Sequence, residues 1–522
     1  MSKMKLSLFL LALLTSVLLN AQIKNTIFEN GDAFYTFPQL KYVDFIPCVD
    51  MPPINIDSLI QEDNELDAQG IGRPFRFGYP IETNIGMEEG NWTQIEQFNV
   101  NVWSICISSN NAYSLNFLLS DVRLSPSAEL YLFNPEGYMV SGPITSSNIY
   151  TDMESTLPTT VLVGSSVIIQ IIEPISDNMD SRIKISQVTH GYKNTFPFVA
   201  NRKPKEDTFQ EYTLLTCHND VACYPDWETE SKGVVRMING SIACSGSLLN
   251  NAGDNLTTYV LTAFHCFDGP LGDKIWSYSE ISDINKSIHE FGYKKKKCGL
   301  TSTITYYTYS SGCILRASHW VTDFILIELL NVDSCMFDEN ICFLGWDRSE
   351  TVPNSSTCIH HPLAIDMKIT FADYVTLSPY VTWQYPYVSP PGSYWCAFSY
   401  MSNSGSTQHG SSGAPLFDMN NRVVGQLAMG NNLCPSDTAY QIYGRFDLSW
   451  EGGGTPDTRL KDWLDPAGTD TLFIDGTYLG KSEYIKLLIS DTSTNYIKSF
   501  KYLQYIFLYL YFFMSNLCQN LN

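Results

Sequence analysis

Three short motifs carry the residue types that nucleophilic chemistry requires. Leu261-Thr262-Ala263-Phe264-His265-Cys266 places a histidine at the end of an apolar run. Gly410-Ser411-Ser412-Gly413-Ala414-Pro415-Leu416 sets a serine between glycines that let the backbone turn tightly. Thr322-Asp323-Phe324-Ile325-Leu326-Ile327-Glu328-Leu329 opens an apolar run with an aspartate. Burying that carboxylate is costly unless a partner holds it. A serine hydroxyl is a weak nucleophile until a neighbouring base takes its proton. An imidazole does this when a carboxylate behind it fixes the tautomer and stabilises the imidazolium. His265 is therefore the candidate general base, Asp323 the orienting acid and Ser412 the nucleophile. The backbone amides of Gly410 and Ser412 are the candidate oxyanion donors. Loss of one such donor costs about 2.7–4 kcal/mol of barrier.

Each motif alone has a plainer reading: a strand-end histidine, a flexible loop, a turn-capping aspartate. Their combination and order carry the catalytic reading. The positioning elements are short strands. Tyr259-Val260-Leu261, Thr322 to Leu330 and Arg422 to Leu427 read as buried strands. Cys244 lies 22 positions before Cys266, so a hairpin would bring the two together and pin His265. Such a bridge contributes about 2–5 kcal/mol in small exported domains. One helix is expected late in the chain: Thr455-Pro456 offers a cap and a first-turn proline, Arg459, Leu460, Trp463 and Leu464 follow on one face, and Pro466 stops it.

The chain has 522 residues, which predicts two or three domains. Apolar residues make up 44% and charged residues 16%, which suits a folded chain and excludes a disordered one. Acids outnumber bases 54 to 32. A net charge of −22 argues against a nucleic-acid partner, which selects a basic face. The 31 Tyr and 28 Phe favour strands.

Met1 to Gln22 reads as an export signal, with Lys3 and Lys5 ahead of the apolar stretch Leu6 to Leu19 and a cut after Ala21. The expected location is secreted or extracellular. The 14 cysteines fit an oxidising compartment. No CxxC spacing occurs and the eight histidines complete no zinc-finger pattern, so neither a metal nor an organic cofactor is expected. His360 and His361 point to opposite faces of a strand and are read as structural. Cys335 and Cys342 are near enough to close a small loop.

The chain divides by composition. Residues 23–200 hold only Cys48 and Cys106. Their short alternating runs, Phe98 to Trp103, Glu129 to Phe133 and Val161 to Ile172, with Asn134-Pro135-Glu136-Gly137 as a turn, predict a β-sandwich. Residues 201–210, NRKPKEDTFQ, read as an exposed linker. Lys481 to Asn522 form a tail of open role; Tyr502 to Met514, thirteen residues, fall short of the roughly 20 that span a bilayer.

The order His265, Asp323, Ser412 is that of chymotrypsin-like enzymes, and Ala414 breaks the G-x-S-x-G elbow of α/β hydrolases. From about Cys217 to Gly476 the sequence resembles the lysyl endopeptidase family of secreted bacterial serine proteases. The likeness rests on the three motifs together with CHNDVAC at 217–223, GWDRS at 345–349, IHHP at 359–362, VVGQL at 423–427, YGR at 443–445, SWEGGG at 449–454, RLKDWLDP at 459–466 and FIDG at 473–476. The resemblance implies a mainly β protein, a chymotrypsin-like pair of six-stranded β-barrels with the site between them. It also implies a removable pro-region, matching the β-sandwich-like N-terminal block. The expected layout is signal peptide 1–21, propeptide 22–211, protease domain 212–480 and tail 481–522, with mature protein starting near Tyr212. His265, Asp323 and Ser412 match the family triad. The family disulfides fall on Cys217–Cys434, Cys223–Cys298 and Cys244–Cys266, leaving Cys313, Cys335, Cys342, Cys358 and Cys396 extra. Two positions depart. Gln441 stands where the family has the aspartate that holds the substrate lysine, with Asp437 four residues upstream as a substitute, and Ala428 replaces a histidine. The expected activity is a serine endopeptidase cutting proteins or peptides, after lysine or another basic residue, and a monomer. The alternative is a protease-like binding or adhesion protein without activity.

Overall fold

The computed structural model describes residues 23–28, 32–41, 43–68, 73–149, 155–197, 217–253, 256–268, 273–299, 304–330, 341–379, 381–384, 387–399, 404–431 and 439–478. The expected export signal, the 201–210 linker, the Tyr212 start and the tail lie outside these residues, as do Cys335, Cys434 and Asp437.

The fold is mainly β, and two curled sheets surround the three motifs. In the first, strands Val234–Asn239, Ile242–Leu249, Tyr259–Ala263 and Phe324–Leu329 pair in sequence, with Ile288–Phe291 on the other side of Val234–Asn239. One bent strand takes both edges. Tyr306–Ser311 pairs with Ile288–Phe291, and after Gly312 (φ +86°) Cys313–His319 pairs with Phe324–Leu329. A right-twisted sheet whose last strand returns to its first closes into a barrel. The second sheet repeats the device. Lys368–Ala372 pairs with Ser356–His360, and Tyr374–Leu377, on the same run of chain, pairs with Tyr394–Ser399 at the opposite edge. Pro415–Phe417, Val423–Gly430 and Ala439–Arg445 lie between. Counting each bent strand once, both barrels have six strands, as the resemblance implies.

The barrel interiors are apolar because the strands are. Phe324, Ile325, Leu326 and Ile327 are all fully buried, so this strand has no solvent face and reads as an unbroken apolar run. Trp346 stacks on Phe446 and lies tilted against Trp450, in a cluster shared with Val234, Leu249 and Tyr259 of the first barrel.

The N-terminal block is a sandwich of two sheets. One orders Cys48–Asp50, Val100–Ser108, Ser166–Pro174, Glu129–Phe133, Met139–Ile144 and Ile23–Ile27. The other contains Ser114–Arg123, Arg182–Gly191 and Gly78–Ile85. Trp103, Ile105 and Ile107 of the first share a core with Leu115, Phe117 and Leu119 of the second. Cys48 and Cys106 sit opposite each other in a parallel pair and form a disulfide. The turn at Asn134–Gly137 forms as expected, with Asn134 Oδ1 accepting from the amides of Tyr138 and Met139.

The blocks do not stand apart. Ile23–Ile27 pairs with Met139–Ile144 on one side and with Tyr306–Tyr309 of the first barrel on the other, so one 15-stranded sheet runs through both. The core is shared too: Ile238, Ala243, Ile288, Tyr307 and Tyr309 join the sandwich cluster.

Three local expectations need correction. The late helix does not start at Thr455. Thr455 and Thr458 instead close their own turn through their hydroxyls, and helix spans only Lys461–Leu464, with Leu460 and Leu464 buried. The run Phe98 to Trp103 becomes strand only from Val100, because Glu96–Phe98 is a 3-10 turn ending at left-handed Asn99. Cys342 forms no loop-closing bridge; it is a buried free thiol, as are Cys313, Cys358 and Cys396. Burial pushes each of these thiols up, which makes them inert.

Candidate active site

The site is assembled by the strands that end at the cleft between the barrels. Tyr259–Ala263 delivers His265, which sits in the 3-10 turn Phe264–Cys266 directly after the strand. Cys266 is bridged to Cys244 in the neighbouring strand, with Cα atoms 6.4 Å apart, so the turn carrying the imidazole is tied down. Asp323 lies between the 3-10 turn Trp320–Thr322 and the strand Phe324–Leu329. Its φ of +56° is left-handed, an uncommon conformation for a residue with a Cβ.

The three candidate residues meet. His265 Nδ1 is 2.8 Å from Asp323 Oδ2, and His265 Nε2 is 2.8 Å from Ser412 Oγ. The other carboxylate oxygen of Asp323 accepts from the His265 backbone amide at 2.9 Å. Both oxygens are thus committed to one residue. Asp323, His265 and Ser412 are all buried, at 2, 4 and 8% exposure, and only the serine end reaches toward solvent. Burial pushes the Asp323 carboxyl above its usual range, and the neighbouring His265 opposes that shift.

Ser412 sits in a tight turn fixed by two left-handed glycines, Gly410 (φ +92°) and Gly413 (φ +83°). A Cβ on Gly413 would lie 2.1 Å from Thr262 Oγ1 and 2.3 Å from Ser245 O, so the turn packs directly on the first barrel. Ser411 N donates to Gln408 O and Gly413 N to Leu427 O, while among the described residues the amides of Gly410 and Ser412 donate to nothing. Two unengaged amides flanking a nucleophile are what an oxyanion requires. The Gly410 carbonyl is turned away and held by Ser245 Oγ at 2.9 Å.

The first residue that sequence reasoning left unassigned here is Ser411. Its Oγ is 2.8 Å from His360 Nδ1, and His360 Nε2 is 2.9 Å from Thr370 Oγ1. His360 therefore braces the nucleophile turn from beneath. Burial holds it well below the usual imidazole range. His361 faces the other way, with Nδ1 2.9 Å from Ile365 O. No group of metal-binding residues occurs among the described residues.

Gln441 lies in Ala439–Arg445, directly opposite Gly430 in the neighbouring strand, and is 1% exposed. Its Oε1 is buried without a partner among the described residues. Gly430 leaves space between Gln441 and Thr407, five residues before Ser412: a Cβ there would sit 3.1 Å from Thr407 Oγ1 and 3.6 Å from Gln441 Cγ. Ala428, two residues earlier, packs on Val381 and Tyr394. Of the expected disulfides, Cys223–Cys298 and Cys244–Cys266 are formed. Cys217 is also disulfide-bonded.

Two closed six-strand barrels with this cleft between them define a chymotrypsin-like fold. Residues 215–444 match the family described as Lysyl endopeptidase, C-terminal domain, and over that stretch the chain is lysyl endopeptidase-like. Among solved structures, it is similar to the thermostable serine protease AL20 from an extremophilic microorganism, at 14% identity and a TM-score of 0.29, covering 47% of this chain and 100% of that one. The Rv3671c protease in its inactive form matches at 13% and 0.28, covering 43% and 89%. The MamO protease domain of Magnetospirillum magneticum in its apo form matches at 10% and 0.26, covering 42% and 96%. These likenesses are too distant to carry an argument about function.

Proposed function

We propose that the chain is a secreted serine endopeptidase made as a zymogen. The observation that carries this reading is the bridge His265 makes between Asp323 and Ser412, beside two unengaged amides. Ser412 Oγ attacks the peptide carbonyl as His265 Nε2 takes its proton. Asp323 fixes the imidazole with Nδ1 protonated and stabilises the imidazolium. The amides of Gly410 and Ser412 donate to the oxyanion of the tetrahedral intermediate. His265 returns the proton to the leaving amine, and water then repeats the cycle on the acyl-enzyme. The disulfides support an extracellular setting. Residues 22–211 act as the propeptide and 212–480 as the protease domain.

The pocket carries a neutral amide rather than a carboxylate. The unpartnered Oε1 of Gln441 accepts a hydrogen bond from an N–H-bearing substrate side chain, lysine among them, without a full charge to select it.

Labelling by a fluorophosphonate, followed by mass spectrometry, tests the reading. Wild-type protein takes the label on Ser412, and Ser412→Ala takes none and loses about 10⁴–10⁶-fold in turnover with the fold intact. Retained hydrolysis in the pure variant would refute the role of Ser412, and an unlabelled, inert protein after removal of residues 22–211 would leave a protease-like binding protein.

A further inference from the structure

The strand Ile242–Leu249 has a partner from the N-terminal block at its start. Phe75–Arg76 pairs with it antiparallel, Arg76 opposite Ile242 and Phe75 opposite Ala243. The amides of Phe77 and Gly78 continue the contact onto Ser241 O, at 3.0 and 3.2 Å. Two residues beyond Ala243, Ser245 N donates to the carbonyl of Ser412 itself, at 2.8 Å. The same N-terminal segment also reaches the oxyanion side. His409, the residue before Gly410, has Nδ1 3.4 Å from Arg73 O and Nε2 3.4 Å from Asp67 Oδ1. Arg73 to Arg76 thus runs from the neighbour of one oxyanion amide to a strand edge two residues from a contact with the nucleophile.

The segment is built to hold its shape. Arg73 precedes Pro74, and a residue before proline is confined to extended conformations. Pro74 itself has no N–H to pair. Arg73 is buried, and its guanidinium donates to Asp67 and to Asp63, by Nη1 to Oδ1 at 3.3 Å and by Nη2 to the carbonyl at 3.1 Å. Asp63, on the helix Ile56–Ala68, also accepts from Arg76 Nε at 2.9 Å, Tyr192 OH at 2.7 Å and Lys193 Nζ at 2.6 Å. One buried carboxylate gathers four donors, all within the N-terminal block.

An extended peptide is received by a sheet edge through main-chain hydrogen bonds. We infer that Arg73–Arg76 is an internal strap that occupies by strand addition the edge on which substrate polypeptide lies, so the docked N-terminal block keeps the cleft closed to protein substrates. This rests on the endopeptidase reading, since it assigns the edge beside Ser412 to substrate. Asp63 is the clasp: it holds Arg73 and Arg76 in the geometry that pairs with Ile242 and Ala243. The strap differs from a substrate in that its ends are anchored on its own block.

The test uses the full chain carrying Ser412→Ala, which keeps it uncut. The probe is biotinylated casein, reduced and carboxymethylated so that it is unfolded and offers every side-chain type. Arg76→Ala removes contacts to Asp63, Glu62 and Leu59 O from a partly exposed side chain, and Asp63→Asn, added separately, weakens the clasp. Each is expected to bind casein at least about tenfold more tightly than Ser412→Ala alone, because a larger fraction of molecules has an open edge. Hydrogen exchange at the one amide of Ile242 and Ala243 that faces Phe75–Arg76 is expected to quicken in the same variants. Circular dichroism melting checks folding, and Arg76→Ala carries the test if Asp63→Asn does not fold. Unchanged affinity and unchanged exchange in a folded variant overturn the strap. Fluorophosphonate labelling of the protein freed of residues 22–211 is scored separately: its absence removes the endopeptidase reading, whereas labelling with unchanged casein binding removes the strap alone.

Discussion

Ser245 and Ser412 join the two barrels at the reacting centre. The amide of Ser245 donates to the carbonyl of Ser412 at 2.8 Å, and the Ser245 hydroxyl holds the carbonyl of Gly410 at 2.9 Å. Both bonds come from the strand that also carries Cys244, and hence from the disulfide beside His265. The turn carrying Ser412 belongs to the second barrel but takes its register from the first, so His265 and Ser412 are positioned by one strand.

Asp323→Asn is expected to lower kcat by about 10⁴-fold with little change in KM. An amide in place of the carboxylate can leave the imidazole in the wrong tautomer while keeping its place. Steady-state kinetics on a peptide substrate checks this; a loss under tenfold would mean that Asp323 only caps the turn before its strand.

Gln441→Asp is expected to sharpen the preference for lysine. The change puts a carboxylate in the same strand position, one methylene short of where Oε1 now lies buried without a partner. A charge-assisted hydrogen bond is worth roughly twice a neutral one, so kcat/KM for lysine over neutral residues should rise about tenfold or more. Cleavage of a peptide library, read by the residue before each cut, gives the answer. An unchanged profile would place the determinant elsewhere.

Gly413→Ala is expected to destabilise the chain by about 1–3 kcal/mol and to abolish activity. The new methyl would meet Thr262 Oγ1 and Ser245 O well inside contact distance, at a left-handed φ. A lowered Tm together with lost fluorophosphonate labelling would bear this out, and normal labelling would show that the turn can shift.

Stability is expected to fall as pH drops below about 6.5. Burial holds His218 down to about 4, His361 down to about 3 and His360 well below its ordinary value. These rings are neutral when folded and protonate near their ordinary value once unfolded. The unfolded state therefore binds more protons between about 4 and 6.5. Each such histidine takes away up to about 1.4 kcal/mol per pH unit in that window and nothing above it. Denaturant midpoints at pH 7.5, 6.5 and 5.5 measure the effect; a flat profile from 6.5 to 5.5 would contradict it.

Much of this site was legible in residue types and order. His265 follows an apolar strand and Asp323 begins one, and a strand end is where a barrel presents a side chain to its cleft; Ser412 is marked instead by the glycines of its turn, three residues before Pro415–Phe417. The barrel count followed from family motifs rather than from periodicity, since a strand such as Phe324–Leu329, buried on both faces, has no alternation to read. Thr455-Pro456 is a good cap in isolation, but Thr455 and Thr458 satisfy each other and the helix starts only at Lys461. The brace from His360 to Ser411 and the pairing of Phe75 with Ala243 were invisible. Both depend on contacts between residues far apart in the chain, which no local pattern encodes.

The strand Ile23–Ile27 ties the N-terminal block to the first barrel through backbone as well as side chains. It is hydrogen-bonded into Tyr306–Ser311, and the sandwich behind it shares side-chain packing with the barrel. Severing the polypeptide once between the blocks would leave a nicked two-piece complex, still laced together by backbone pairing. On the zymogen reading proposed above, freeing residues 212–480 therefore calls for the sandwich itself to be digested or unfolded.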